Sequence, residues 1–259
     1  MHLTQAAQSN TTSDAYKAEY STELAGKWDQ LVNWGNRHAD EATFFVDLLR
    51  RHGVHTVLDA AAGTGYHPWV LATSGFAVTA SDGAQTMVDQ CVRNLSGRGV
   101  ELPVLRADWR ELDTVVGGSY DAVLCLGNSF SHLFDDDDRK DVLAQFRSVL
   151  KPGGILVLDH RNYDAILRDG FVEQRTSYCC GADDVVITAA SVEAELVQLR
   201  YDFPDGTGYD VRQSPVLQEA MTRSLEAAGF GETHRFGDMA ADYDPLAVDF
   251  VVHVARRPL

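Results

Sequence analysis

Between residues 56 and 159 the apolar positions switch between two spacings. Short continuous runs at Thr56–Ala60, Ala77–Ser81, Pro103–Ala107, Ala122–Leu126 and Ile155–Asp159 predict strands that are apolar on both faces. Between them, Tyr66–Thr73, Ala84–Arg98 and Arg139–Leu150 read as helices, the last stopped by the KPGG turn at Lys151 to Gly154. Strands that alternate with helices build a parallel, doubly wound α/β sheet through right-handed crossovers.

The flanks follow other rhythms. Tyr16, Tyr20, Leu24, Trp28 and Leu31 recur at helical spacing, which predicts one helix from Asp14 to about Leu31. A second helix runs from about Asp40 to Arg51 and ends at Gly53. Beyond Gly170 the regular alternation breaks. VVITAA, LVQLRYDF and GTGYDVR are short alternating runs, with a turn at Pro204-Asp205-Gly206, and predict a small antiparallel insertion. Residues 215–228 return to helix, and THRFGDM with DFVVHVARR predicts a closing hairpin.

Composition narrows the classes. The 259 residues suffice for one α/β domain with a modest insertion. With 38 acids against 22 bases the net charge is −16, a surface that repels nucleic acid and anionic membrane. No apolar run reaches membrane-spanning length, and the polar first residues lack a secretory apolar core, so a cytoplasmic setting is expected. Cys91, Cys125, Cys179 and Cys180 form no CxxC pair, so no metal site is expected. Oligomeric state is not legible.

The strongest chemical signal is VLDAAAGTG, Val57 to Gly65, with Asp82 19 residues beyond Gly63. A strand ends in a glycine turn that opens a helix, so backbone N–H groups converge on the carboxyl edge of the sheet. Asp82, at the end of the next strand, either accepts the two ribose hydroxyls of a nucleoside or caps the following helix. Pro68 stands where a dinucleotide-binding turn has a third glycine, which argues against a nicotinamide-dependent oxidoreductase. Asp108 and Trp109 follow the third strand at the same edge, either as an adenine site or as a plain loop.

This turn, with CLGNSFSHLF (Cys125–Phe134), LDHRNYDAIL (Leu158–Leu167) and KWDQLVNWGNR (Lys27–Arg37), resembles the class I S-adenosylmethionine-dependent methyltransferases. The longer segments are similar to glycine N-methyltransferases and glycine/sarcosine N-methyltransferases. The resemblance implies a seven-stranded Rossmann-like sheet, S-adenosylmethionine as methyl donor and a small amino acid as acceptor, glycine or sarcosine first. It implies a division into a tail (1–13), a helical lid (14–52), the donor-binding core (53–170), an antiparallel cap (171–213) and a completion of the core (214–259). Carried across by position, Tyr20, Trp28 and Arg37 belong to the lid, Arg37 near the donor's carboxylate. Ala62, Gly63, Gly65 and Asp82 match the turn and ribose contacts, Asp108 and Trp109 those of adenine, and Leu126 and His132 further donor contacts. Asn128 and Arg161 match the residues that hold the amino acid. Each retains a plainer reading: Tyr20 and Trp28 as an apolar helix face, His132 as a loop closure, Arg161 as the partner of a surface acid.

Two stretches depart from the resemblance. Where a tyrosine-rich acceptor pocket is implied, the chain has TSYCCG (Thr176–Gly181), with Tyr178 retained. Where an aromatic pair would precede a proline, it has YDVRQSP (Tyr209–Pro215). A same-fold methyltransferase with a different acceptor, a larger amino acid, a hydroxyl or a thiol, is the alternative.

Overall fold

The computed structural model describes residues 12–35, 37, 39–172 and 184–259. Three helices come first: α1 (Tyr16–Glu19), α2 (Thr22–Val32) and α3 (Ala39–Arg51). The alternating part follows as β1 (Thr56–Asp59), α4 (Tyr66–Thr73), β2 (Ala77–Asp82), α5 (Gln85–Gly97), β3 (Val104–Arg106), α6 (Leu112–Val116), β4 (Tyr120–Cys125), α7 (Asp136–Val149) and β5 (Leu150–Arg161). After α8 (Tyr163–Asp169) come β6 (Val186–Val192), β7 (Val197–Asp202) and β8 (Gly208–Gln213), then α9 (Gln218–Ala227), β9 (Thr233–Gly237) and β10 (Phe250–Arg256).

The main sheet has seven strands in the order β3-β2-β1-β4-β5-β10-β9. β1 to β5 are mutually parallel, and β10 enters antiparallel between β5 and β9. β1 therefore has β2 on one side and β4 on the other. At such a reversal of strand order the chain leaves a crevice beyond the carboxyl ends. The strands are buried on both faces. Leu58, Val123, Leu156 and Leu158 pack with Phe146 of α7 and Leu225 of α9. Val57, Leu124, Ile155 and Val157 point the other way, against Phe45 and Leu49 of α3 and Leu71 of α4. β6, β7 and β8 form a separate antiparallel sheet. Its inner face, with Val197, Leu199 and Val211, packs on Leu24 and Leu31 of α2 and on Tyr163.

The helix expected from Asp14 to Leu31 is two helices. Ser21 breaks it, its hydroxyl accepting from the Leu24 N–H at 3.3 Å as an N-cap, while the Tyr20 carbonyl accepts from the Thr86 hydroxyl at 2.7 Å. α7 begins at Asp136 rather than Arg139, because the Asp135 carboxylate accepts from the N–H groups of Asp137 and Asp138 and three acids suit the first turn. The helix ends at Val149, and KPGG, expected as a turn, lies within β5, where the pairing with β4 shifts register. Of the expected tail (1–13), residues 1–11 lie outside the described residues. Ser13 is already buried, its hydroxyl accepting from the Phe134 N–H. No helix among the described residues is long and apolar enough to cross a membrane.

Candidate active site

A cavity opens at the carboxyl edge of β1, β2, β4 and β5, covered by α1 and α2 and flanked by the small sheet. Tyr20, Trp28, Arg37, Ala62, Gly63, Asp82, Asp108, Trp109, Leu126, Asn128, His132 and Arg161 all line it. Gly65 is not in its wall. Tyr178 lies outside the described residues.

The turn after β1 and the end of β2 are clipped together. Asp82 accepts from the Gly63 N–H through one carboxylate oxygen and from the Ala84 N–H through the other, both at 2.9 Å. The Gly83 N–H also supports the carboxylate, and two oxygens with about four lone-pair sites still leave acceptor capacity for the cavity. Burial pushes the Asp82 carboxyl up to about 6. Gly63 adopts φ +52, a left-handed conformation that glycine reaches without cost. Gly65, at φ +102, has a different reason for being glycine. A Cβ there would sit 2.9 Å from the Cys91 Sγ of α5, so the position serves helix packing behind the turn. At the end of β1, Asp59 is fully buried. One oxygen accepts from the Ala61 N–H at 3.1 Å, the other has no partner among the described residues, and burial pushes the carboxyl up to about 6.

Asp108 and Trp109 are also tied down. The Trp109 indole donates to the Ala60 carbonyl at 2.6 Å and meets Phe146 edge-on, so its ring is fixed beside the end of β1. The Arg110 guanidinium forks onto Asp108 at 2.9 and 2.7 Å and holds its carboxyl well below the usual range. Arg110 also reaches Asp14 at 2.7 Å, and Lys17 spans Asp14 and Asp108 at 2.7 and 3.3 Å. These charges pin α1 across the mouth of the cavity. At its other end Glu19 takes the Arg212 guanidinium of β8 at 2.6 Å.

Under the lid, Tyr20 and Trp28 meet edge to face at 5.2 Å, and the Tyr20 hydroxyl shares a hydrogen bond of 3.1 Å with His132 Nε2. Burial pushes His132 down to about 4 and raises Tyr20 well above its ordinary value, so both are neutral at physiological pH. Arg37 is buried and gripped from behind. Glu41, fully buried, accepts from Arg37 at 2.6 and 2.7 Å and pairs with His67 Nε2 at 2.8 Å. Burial alone would raise the Glu41 carboxyl; Arg37 and His67 outweigh it and bring it down. The guanidinium also lies 4.2 Å from the centre of the Tyr66 ring.

At the far end, Asn128 adopts φ +64 and is 2% exposed. Its N–H donates to Asp159 at 2.7 Å, its side-chain oxygen accepts from the Arg161 N–H at 2.9 Å, and its side-chain nitrogen donates to the Tyr163 hydroxyl at 2.9 Å. The carboxamide thus fixes the end of β5, where Arg161 enters the cavity between the rings of Phe171 and Phe250. Next to it, His160 donates from Nδ1 to the Arg161 carbonyl at 2.7 Å and meets His253 at 3.0 Å. Burial pushes His160 down to about 4.

Sequence reasoning missed Glu41, His67, Tyr163, Tyr201 and Gln213. Glu41 stands four residues after Arg37, a helical ion-pair spacing that could have revealed it. Tyr163 lies within the LDHRNYDAIL segment. Tyr201 and Gln213 come from the small sheet and carried no local signal.

Residues 57–154 match the family described as "Methyltransferase domain". A glycine/sarcosine N-methyltransferase of Aphanothece halophytica is 41% identical over 245 residues, 95% of this chain and 92% of that one. A glycine/sarcosine/dimethylglycine N-methyltransferase of Actinopolyspora halophila is 41% identical over 94% of this chain and 43% of its own length. Among solved structures, an S-adenosylmethionine-dependent methyltransferase from Clostridium acetobutylicum has the same fold, with a TM-score of 0.73 at 17% identity, covering 92% of this chain and 98% of that one.

Proposed function

The chain belongs to the S-adenosylmethionine-dependent methyltransferases, in the family of the glycine/sarcosine N-methyltransferases, and on that premise we propose that it methylates the amine of glycine or sarcosine. The observation that carries the acceptor is Arg161. It is a guanidinium only 7% exposed, lining the same cavity as the nucleoside-type turn. A buried guanidinium in a small-molecule cavity is suited to a carboxylate, which it engages through two parallel N–H donors.

The cavity residues fit the donor. Asp82 offers free lone pairs for ribose hydroxyls, Trp109 a fixed indole face for adenine, and Arg37 a charge for a carboxylate. In this reading Ala62 and Gly63 carry the turn against the nucleoside, and Asp108 takes the adenine amino group. Leu126 and His132 complete the donor wall, and Tyr20 and Trp28 face the sulfonium. Bound there, S-adenosylmethionine supplies an electrophilic methyl group on sulfur that leaves as a neutral thioether, so no acid is needed.

The chain's own task is then positioning. Arg161 holds the acceptor by its carboxylate and leaves the amine free. Asn128 acts through Arg161, whose backbone it anchors. His132, kept neutral, adds no positive charge beside a cationic donor. Aligning two bound reactants contributes about 7–11 kcal/mol in favourable cases, and each aromatic face over a cation about 0.5–2 kcal/mol.

Transfer of radiolabelled methyl across a panel of amino acids tests the acceptor. Label should appear on glycine and sarcosine. Label on another acceptor and on neither of these would overturn the reading.

A further inference from the structure

Gln213 closes β8 and is 4% exposed, yet its side chain lines the cavity. Its neighbourhood is rigid. The Ser214 N–H donates to the Ser131 carbonyl at 2.7 Å, and Arg139 donates to the Ser214 hydroxyl at 2.7 Å, so the end of β8 is fastened to the loop that carries Asn128. The Gln213 side-chain oxygen accepts from the Tyr163 hydroxyl at 3.0 Å. That hydroxyl accepts from Asn128 Nδ2, and Asn128 Oδ1 accepts from the Arg161 N–H. A hydroxyl has a single proton to give, so the chain of bonds runs from Asn128 through Tyr163 to the oxygen of Gln213. The amide nitrogen, with two donors, then makes no hydrogen bond among the described residues, and it is not one of their fully enclosed unpartnered atoms.

Two amide donors that keep access to the cavity are available to a ligand. A carboxylate is an acceptor only and satisfies them; an ammonium has nothing to offer. We propose that Gln213 is a second carboxylate-binding residue, its amide nitrogen donating to the acceptor amino acid beside the Arg161 guanidinium. Arg161 supplies charge and Gln213 direction, so the small sheet contributes to acceptor choice as well as covering the cavity. The proposal rests on the reading that the acceptor is an amino acid, and it concerns a position where the resemblance implies an aromatic side chain.

The test compares Gln213→Glu, Gln213→Ala and Arg161→Lys with the unaltered chain. Glycine, sarcosine and glycinamide, which lacks the carboxylate, serve as acceptors. Gln213→Glu should raise KM for glycine and sarcosine by 30-fold or more, because two carboxylates then face each other. Gln213→Ala should raise it about 5-fold to 10-fold. Neither should change S-adenosylhomocysteine affinity by more than about twofold, which also reports that the variants are folded. With glycinamide the penalty of Gln213→Glu should vanish, so the preference for glycine over glycinamide collapses. Equal losses on glycine and glycinamide would mean a structural role and overturn the proposal. If Arg161→Lys raises KM while both Gln213 variants leave it within twofold, Gln213 is wrongly assigned and the amino-acid reading stands. If all three leave it unchanged, both fail.

Discussion

Around the proposed nucleoside position the cavity wall comes from a single stretch of chain. At the proposed acceptor end it is assembled from three. The nucleoside wall is built by the turn after β1, the end of β2 and the residues after β3, all between Asp59 and Arg110, and its main joint is a carboxylate on backbone N–H groups. The acceptor end joins Asn128, Arg161, Tyr163 and Gln213 through side-chain contacts spanning 33, 35 and 50 residues. A site built from backbone tolerates sequence change around it. One built from distant side chains changes when any contributor changes, so the family's donor can stay constant while its acceptor varies.

That contrast breaks if the two ends do not fail separately. The largest effect is expected at the acceptor end. Arg161→Lys should lower kcat/KM for the amino acid by about 100-fold, because a single ammonium replaces a forked donor pair. Calorimetry should show S-adenosylhomocysteine affinity within about twofold of the parent. Asp82→Ala should do the reverse, weakening S-adenosylhomocysteine by about 30-fold through lost charge-assisted bonds, with the acceptor KM little changed. Because burial raises Asp82 to about 6, donor binding should also weaken as pH falls through 6, when the carboxylate takes up a proton, and the alanine variant should lose that dependence.

Glu41→Gln sharpens the comparison within the donor end. It loosens Arg37 without touching the nucleoside wall, so S-adenosylhomocysteine should bind about 10-fold more weakly. Methylthioadenosine, which has no carboxylate, should bind as before. Equal weakening of both ligands would mean that Glu41 supports the fold and not the guanidinium.

The smallest effect is on stability. Asp59 is raised from 3.8 to about 6 by burial, so the folded state holds the proton more tightly than the unfolded one. Its favourable contribution is present below 3.8 and is lost as pH rises through 6. Asp59→Asn should therefore stabilise the protein by about 1 kcal/mol at pH 8, a gain that fades to nothing below pH 4. Thermal unfolding at the two pH values measures it. A loss of stability at pH 8 would show that the ionised carboxylate has a partner the geometry does not reveal.

The same contrast explains what could be read from the sequence. β1, the glycine turn, α4 and β2 were legible because strand period, turn glycine and helix start are all local signals. The three small-sheet strands followed from alternation and a Pro-Asp-Gly turn. The break at Ser21 was missed because apolar spacing continues across it, and a single hydroxyl cap decides the matter. α6 and α8 were missed as helices of five and seven residues, too short for a period to show. Gly65, expected beside the ligand, lies outside the cavity wall; φ +102 and the closeness of Cys91 both require glycine there, and the second of these is invisible within the turn. Asn128 and Arg161, singled out through resemblance, line the cavity, whereas the Tyr163–Gln213 link between them and the small sheet needed coordinates.

Arg161 has one more neighbour that matters for the order of assembly. It is the last residue of β5, and its strand partner there is Phe250, 89 residues later. Until β10 has been synthesised and pairs between β5 and β9, the longest strand of the sheet has an open edge, a template for stray pairing with other chains. Arg161, the proposed acceptor clamp, therefore gains its strand partner only after the chain has been made as far as Phe250, whereas the strands that frame the proposed nucleoside position lie more than a hundred residues earlier. The two ends of the cavity are completed in the order in which the chain is written.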